Sequence, residues 1–366
     1  MRSLLPSLTL LLSLSLIMSQ DYPKKKFYKR EKHAAKIMGR DDRKYGDHSG
    51  NRVLCRFYNH GSIGDQSSSF SGVYPIGSGH SYIWEFSPVV AASVVDTNGF
   101  RRHIVSDGIS GLVDASPEGT PWSFEPLSGY SNPNQENLAM SDNENSWPNS
   151  WPNRTEDWNG EWNGQYGKYV RADQESYFVV DDRYNSEFEF WPDQNDIPED
   201  PTVSPDEHRR GLGIEMEARG YQWNHPAAED IIIVTYWITN VGSSVLDSVV
   251  FGMYGDADIG GASSFSDDDA WFDTENDMVY QWDHDNWSSS YGGFRPAYFG
   301  WSFLESPGNP NDGIDNDGDG MIDESQFDGI DNDGDWDPER DDIGADLSLI
   351  HISEPTRLRR ISYAVF

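Results

Sequence analysis

The sequence predicts a mainly β chain: one or two antiparallel β-sandwich domains with long loops, followed by an acidic repeat. Three observations predict it. Short runs of β-branched and aromatic residues recur between Gly and Ser clusters, the pattern of strands and turns. The 366 residues include 17 Phe, 18 Tyr and 14 Trp, which favour strands and supply cores, whereas disordered chains are poor in aromatics. No stretch sustains a helical period of apolar residues.

The N-terminus places Arg2 before an apolar run, Leu8–Met18, and the small residue Ser19. A positive start, a short apolar stretch and a small residue describe a secretory signal peptide over residues 1–19. Eleven residues are too few to span a bilayer, which needs ~20. A buried N-terminal helix is the competing reading, and Asp21 and the lysines that follow argue against it. Residues 20–50 then read as a basic flexible leader, with ten Lys/Arg and five Asp/Glu between Asp21 and Gly50.

Charge reverses after Gly50. The whole chain carries −35, and the part after Gly50 carries −41. Such a field repels nucleic acid and anionic lipid and attracts divalent cations, so nucleic acid is not an expected partner. No second apolar run is long enough for a membrane span. The single cysteine, Cys55, excludes an intramolecular disulfide and leaves stability to core burial and bound ions. In its strand-like run Cys55 reads as a small buried hydrophobe.

Strand signals fill a first β-rich region, residues 51–200. They are Val53–Asn59, His80–Phe86, Pro88–Asp96, Arg101–Gly108, Tyr177–Tyr184 and Glu187–Pro192, with long Pro-, Asn-, Ser- and Trp-rich loops over 112–165. A second region, 201–305, begins with the alternating run Leu212–Trp223. Its strongest pair is Asp230–Asn240 and Ser248–Asp256, which the Gly/Ser tip VGSSVLD should close into a hairpin. In the first of these, Ile231, Ile233, Thr235, Trp237 and Thr239 share one face and Ile232, Val234, Tyr236 and Ile238 the other. Both faces are apolar, so the strand should be central in a sandwich.

That hairpin, YWITNVGSSVLDSVVFGMY, resembles the core hairpin of bacterial immunoglobulin-like surface domains, and implies an immunoglobulin-like or jelly-roll-like sandwich. More widely, the stretches YPIGSGHSYIWEFSP, EDIIIVTYWITN and DGIDNDGDG resemble exported bacterial surface proteins that often end in a C-terminal sorting domain. This resemblance implies a secreted or cell-surface location more than an activity. The last twenty residues, 347–366, resemble the translation of a sequencing adapter, with Leu358–Arg360 on its variable index. They are expected to be a sequencing artefact outside the fold, with the natural chain continuing past Asp346.

Residues 306–346 hold the acidic repeat. From Asn311 to Asp346 there are fifteen Asp/Glu and one Arg, and the segment DGIDNDGD occurs at Asp312–Asp319 and again at Asp328–Asp335. Calcium takes six to eight hard oxygens at ~2.4 Å, and acids at positions 1, 3 and 5 of a loop with Gly at 6 can supply them. In the first copy these are Asp315, Asp317, Asp319 and Gly320. Met321 offers a carbonyl at position 7 and Asp323 stands at 9, but Gln326 replaces the bidentate acid at 12. In the second, Asp331, Asp333 and Asp335 repeat, with Glu339 at 9 and Asp342 at 12, but Trp336 stands where Gly would ease the turn. The pattern resembles thrombospondin type-3 and dockerin-like calcium loops. A solvated acidic linker is the bland alternative, and the in-phase repeat and the Gly placement favour calcium. Its expected role is to stiffen a spacer between modules.

A second acidic group, Asp256, Asp258, Asp267, Asp268, Asp269, Asp273, Asp283 and Asp285, follows the predicted hairpin. Asp256, Asp258 and Asp269 are the first choices for a second metal cluster, with solvated loops an equal alternative. Trp147, Trp151, Trp158 and Trp162 fall within sixteen residues. Trp158 and Trp162 are candidates for stacking on sugar rings, against a favoured reading in which the indoles pin a long loop to the sheets.

No HExxH, GxSxG, P-loop or GxGxxG pattern occurs, and the histidines show no metal spacing, so no catalytic residue is assigned. The expected function is a non-enzymatic structural or adhesion protein with calcium as ligand, its partners a surface polysaccharide or other cell-surface proteins. A carbohydrate-binding module is the first alternative, and a secreted hydrolase with a distant acid pair the second.

Overall fold

The first strands to form a ladder are β1 (Tyr45–His48) and β2 (Cys55–Tyr58), which pair antiparallel. The computed structural model describes residues 43–304, except 65–69, 111–114, 118–121, 196, 199–207, 262–263 and 274–277, together with the backbone of 359–365. The signal peptide, most of the leader and the acidic repeat therefore lie outside the described residues. The described residues belong to one unit, Arg30–Ser306 with Glu354–Phe366. Among them, no helix is long and apolar enough to cross a membrane.

Two larger sheets follow. In one, β3 (Ile83–Val95) lies between β10 (Asp247–Ala257) and β4 (Arg101–Asp107). The other runs through β11 (Asp268–Asp273), β12 (Met278–Asp283), β13 (Phe299–Phe303), β14 (Arg359–Val365), β9 (Ile233–Asn240), β8 (Ile214–Gln222), β7 (Gln174–Asp181) and β5 (Glu125–Pro126), with β6 (Ala139–Met140) also on β7. Every strand pairing is antiparallel. The chain is mainly β, as its strand grammar predicts. Strands from residues 51–200 and 201–305 pair with each other, β3 with β10 and β7 with β8.

The cores follow from strand alternation. Along β9 the side chains of Val234, Tyr236 and Ile238 turn inward with the preceding Ile232. They meet Ile214, Met216 and Ala218 of β8, and Phe86, Val90, Ala92 and Val94 of β3, in one cluster that both large sheets share. Each Val, Ile, Phe or Met side chain among them contributes about 1.5–3 kcal/mol on burial. All eight residues of β7 are buried because each of its faces has a cover. Phe178 and Val180 enter the shared core, while Tyr177 and Val179 enter a second cluster with Trp151 and Trp162.

Several elements differ from the sequence expectation. The Asp230–Asn240 and Ser248–Asp256 runs do not form a hairpin: β9 pairs β8 and β14, while β10 pairs β3. The connector is held elsewhere. Val241 and Gly242 donate backbone N–H to the Gly213 carbonyl, and Ser243 and Ser244 donate to Pro192. Asn240 Nδ2 caps the Ser244 carbonyl at 2.9 Å, and Leu246 is buried beyond it. Those anchors carry β10 across to the other sheet.

Glu187–Pro192 is no strand either. Phe190 and Trp191 are buried as anchors, and the Arg210 guanidinium donates to the carbonyls of Phe188 and Phe190 in place of a ladder partner. His80–Phe86 and Pro88–Asp96 join largely into the single strand β3. Pro88 is accommodated because β4 pairing begins one residue later, at Val89.

Part of the expected leader is built into the fold. Lys44 is buried, with Nζ donating to the carbonyls of Asn132 and Gln135, and Arg43 pairs with Glu125 at 2.7 Å. The tail expected to lie outside the fold also contributes a strand. Residues 359–365 satisfy the edge of β9 from Ile233 to Thr239 and join it to β13.

Candidate metal centre

The second acidic group gathers where β10 ends and the β11–β12 hairpin begins. Ala257 closes β10, Gly260 and Gly261 turn with positive φ, and the Phe265–Asp267 turn leads into β11. Positive φ is open to glycine at little cost, and at Gly260 a Cβ would meet the Ser288 side chain at 2.7 Å. The hairpin register sets Asp268 opposite Asp283 and Ala270 opposite Gln281. Cross-strand partners share a face, so Asp268, Gln281 and Asp283 project to the same side.

Asp267, Asp283 and Asp285 each present a carboxylate oxygen within 4.8 Å of the others. Asp283 is 3% exposed and held firmly. It accepts the Ser264 hydroxyl at 2.8 Å and the Trp287 N–H at 2.7 Å. Asp267 and Asp285 are exposed on either side. Beside them, Asp268 accepts the Ile259 N–H at 2.8 Å through Oδ2, while its buried Oδ1 has no donor among the described residues. Gln281 Oε1 on this face is a second buried acceptor without a donor among the described residues.

Electrostatics follow from that crowding. Burial pushes the Asp268 carboxyl up to about 7; the Ile259 N–H opposes this, and the charges of Asp283, Asp258 and Asp267 add to it. Asp258 is also raised, by burial and then by Asp256. Excess negative charge and unmet acceptors are the local condition that a cation relieves. Ligand oxygens on opposite sides of a calcium-sized ion stand at most ~4.8 Å apart, twice the ~2.4 Å bond. The donor set is all oxygen, which suits a hard divalent cation and not a soft one.

Of the first-choice ligands, none is among those three. Asp256 accepts the Tyr254 hydroxyl at 3.2 Å. Asp258 lies near enough to Asp256 and Asp268 for their charges to interact. Asp269 faces the opposite side of β11 and meets His284 Nδ1 at 2.6 Å, which raises the imidazole pKa. The three that converge belong to the same acidic group. Their convergence depends on the β11–β12 register, which no local pattern in the sequence announces. Asp315, Asp317, Asp319, Met321, Asp323, Asp331, Asp333, Asp335, Glu339 and Asp342 all lie outside the described residues.

The Trp-rich loop is a packing element. Trp162 is 2% exposed, donates Nε1 to Glu175 at 2.7 Å, and stands edge-on to Trp151 with centroids 6.1 Å apart. Its ring offers no open face to a sugar. Trp158 is partly buried, and the Arg154 guanidinium covers its ring at 4.2 Å. A small cavity of about 10 Å³, room for a single water, lies against Leu127, Tyr130, Leu138 and Phe178. It is below the ~300 Å³ scale of small-molecule sites and brings no carboxylate pair together. No protein-family model, curated protein or solved structure matches the chain.

Proposed function

We propose that this chain is an exported, cell-surface or secreted structural protein, non-enzymatic, whose immunoglobulin-like β-sandwich is stabilised by calcium. The observation that supports this most is the convergence of Asp267, Asp283 and Asp285 beside the donorless Asp268 Oδ1. Bound calcium would take oxygens from these residues and tie the end of β10 to the β11–β12 hairpin. A core shared by the two large sheets supports the sandwich reading. The acidic repeat over 306–346 fits the same chemistry and would fill at millimolar calcium even with Kd ~10⁻⁴–10⁻³ M.

Differential scanning calorimetry with calcium and with chelator tests this. A site of Kd ~10⁻⁴ M at about 2 mM calcium adds about 1.8 kcal/mol to folding. That raises the melting temperature by roughly 2–4 °C per kcal/mol in a chain of this size. Identical melting in both buffers would remove the proposal.

A further inference from the structure

The outer face of the β11–β12–β13 ribbon carries an aromatic surface of another kind. Alternation places Phe299 and Trp301 of β13 inward, with Trp301 4.8 Å from Phe86 in the core. The opposite face holds Asp269, Trp271 and Asp273 on β11 and Tyr280 and Trp282 on β12, with Tyr298 just before β13. Trp271 pairs with Tyr280 and Asp269 with Trp282 across the ladder. Trp271 is 62% exposed and Tyr298 68% exposed. Trp282 stacks beside Tyr298 at 29° with centroids 5.8 Å apart, and Tyr280 lies 5.6 Å from Trp282. Gly300, opposite Tyr280, adds no side chain to this face.

Four rings held on a ribbon by cross-strand pairing form a platform rather than a core. Large exposed apolar patches on a soluble protein mark interaction sites. Flat rings match the C–H faces of pyranoses. Asp269 and Asp273, each two residues from Trp271, can accept hydroxyl hydrogens. Charge selects among glycans: the chain's −35 and these flanking acids repel uronate- and sulfate-bearing polymers, β11, β12 and β13 contain no Lys or Arg to pair with them, and His284 is already engaged by Asp269. We propose that Trp271, Tyr280, Trp282 and Tyr298 form a stacking platform for a neutral polysaccharide of pyranose units. It is separate from the carboxylate cluster, which occupies the other face of the hairpin.

Affinity electrophoresis of the full chain tests this, in calcium and in chelator, through gels containing soluble β-glucan, xylan, glucomannan, alginate or polylysine. The expected result is retardation by at least one neutral polysaccharide, weakened about tenfold by Trp271→Ala and again by Tyr298→Ala. Trp158→Ala, in the loop cluster around Trp151 and Trp162, should leave it intact. Near-ultraviolet circular dichroism verifies that each variant is folded. If an alanine variant unfolds, acrylamide quenching of the wild-type chain decides instead, since saturating neutral glycan must shield indole fluorescence. Retardation by no neutral polysaccharide, retardation by alginate or polylysine alone, insensitivity to both ring deletions, or unchanged quenching would each overturn the proposal. Loss of the calcium effect on melting with glycan binding retained would count against the metal site alone.

Discussion

Asp268 and Asp283 face each other across the β11–β12 ladder, two carboxylates on one side of a hairpin. Like charges directly opposite are destabilising in a sheet. Asp283 is held by two donors, whereas Asp268 has one donor and a buried bare oxygen. Asp268→Asn should therefore stabilise the protein in chelator by on the order of 1 kcal/mol and raise its melting temperature. The same substitution should shrink the gain from calcium. Opposite signs in the two buffers distinguish a cation site from an ordinary acidic loop, and a destabilised variant in both would contradict the assignment.

Asp182 sets a pH dependence away from that centre. It is fully buried and accepts Ser106 Oγ at 3.1 Å, Leu212 N–H at 2.6 Å and Ile214 N–H at 3.0 Å. Burial, and then the neighbouring Asp181 charge, push its carboxyl up to about 7. A carboxyl raised on folding binds its proton more tightly in the native state. Its contribution is complete below the unfolded value near 3.8 and is lost as pH rises through about 7. In chelator, Asp182 should make stability fall between about pH 4 and 7, and Asp182→Asn should flatten that slope. Urea titrations at both pH values check it, and parallel profiles would refute the role.

The Trp-rich loop separates packing from recognition. Trp162→Ala removes a buried ring and takes the Nε1 donor from Glu175 Oε2, while Oε1 keeps the Arg171 and Ala172 N–H groups, so it should cost about 3–5 kcal/mol. Trp158→Ala deletes a partly buried ring and should cost less than half as much. Neither should alter glycan retardation in folded protein. Denaturant midpoints for the two variants decide it, and equal losses would mean that the loop is not pinned through Trp162.

Strand identity was legible wherever alternation met β-branched residues, as in Ile232–Ile238, whose predicted faces match their burial. Pairing was less legible. β9 and β10 look like a hairpin because a Gly/Ser tip joins them, yet contacts to Gly213 and Pro192, distant in sequence, redirect the connector. β1 has no apolar alternation: Tyr45–His48 gain their place from pairing with β2, and His48 from Phe57 on that strand and Ser176 far along the chain. The acidic group was visible as composition. Which carboxylates converge follows from cross-strand register, which composition does not encode. The exposed rings were harder still, since Trp271 and Trp301 look alike in sequence and only the pleat separates outward from inward.

The central claim concerns calcium at Asp267, Asp283 and Asp285, and isothermal titration calorimetry of calcium into the full chain tests it most directly. Because the acidic repeat can bind as well, the comparison is between wild type and Asp283→Asn. The expected result is one fewer calcium per chain in the variant, with the remaining sites unchanged. Superimposable isotherms, or no heat beyond dilution in the wild type at several millimolar calcium, would contradict it.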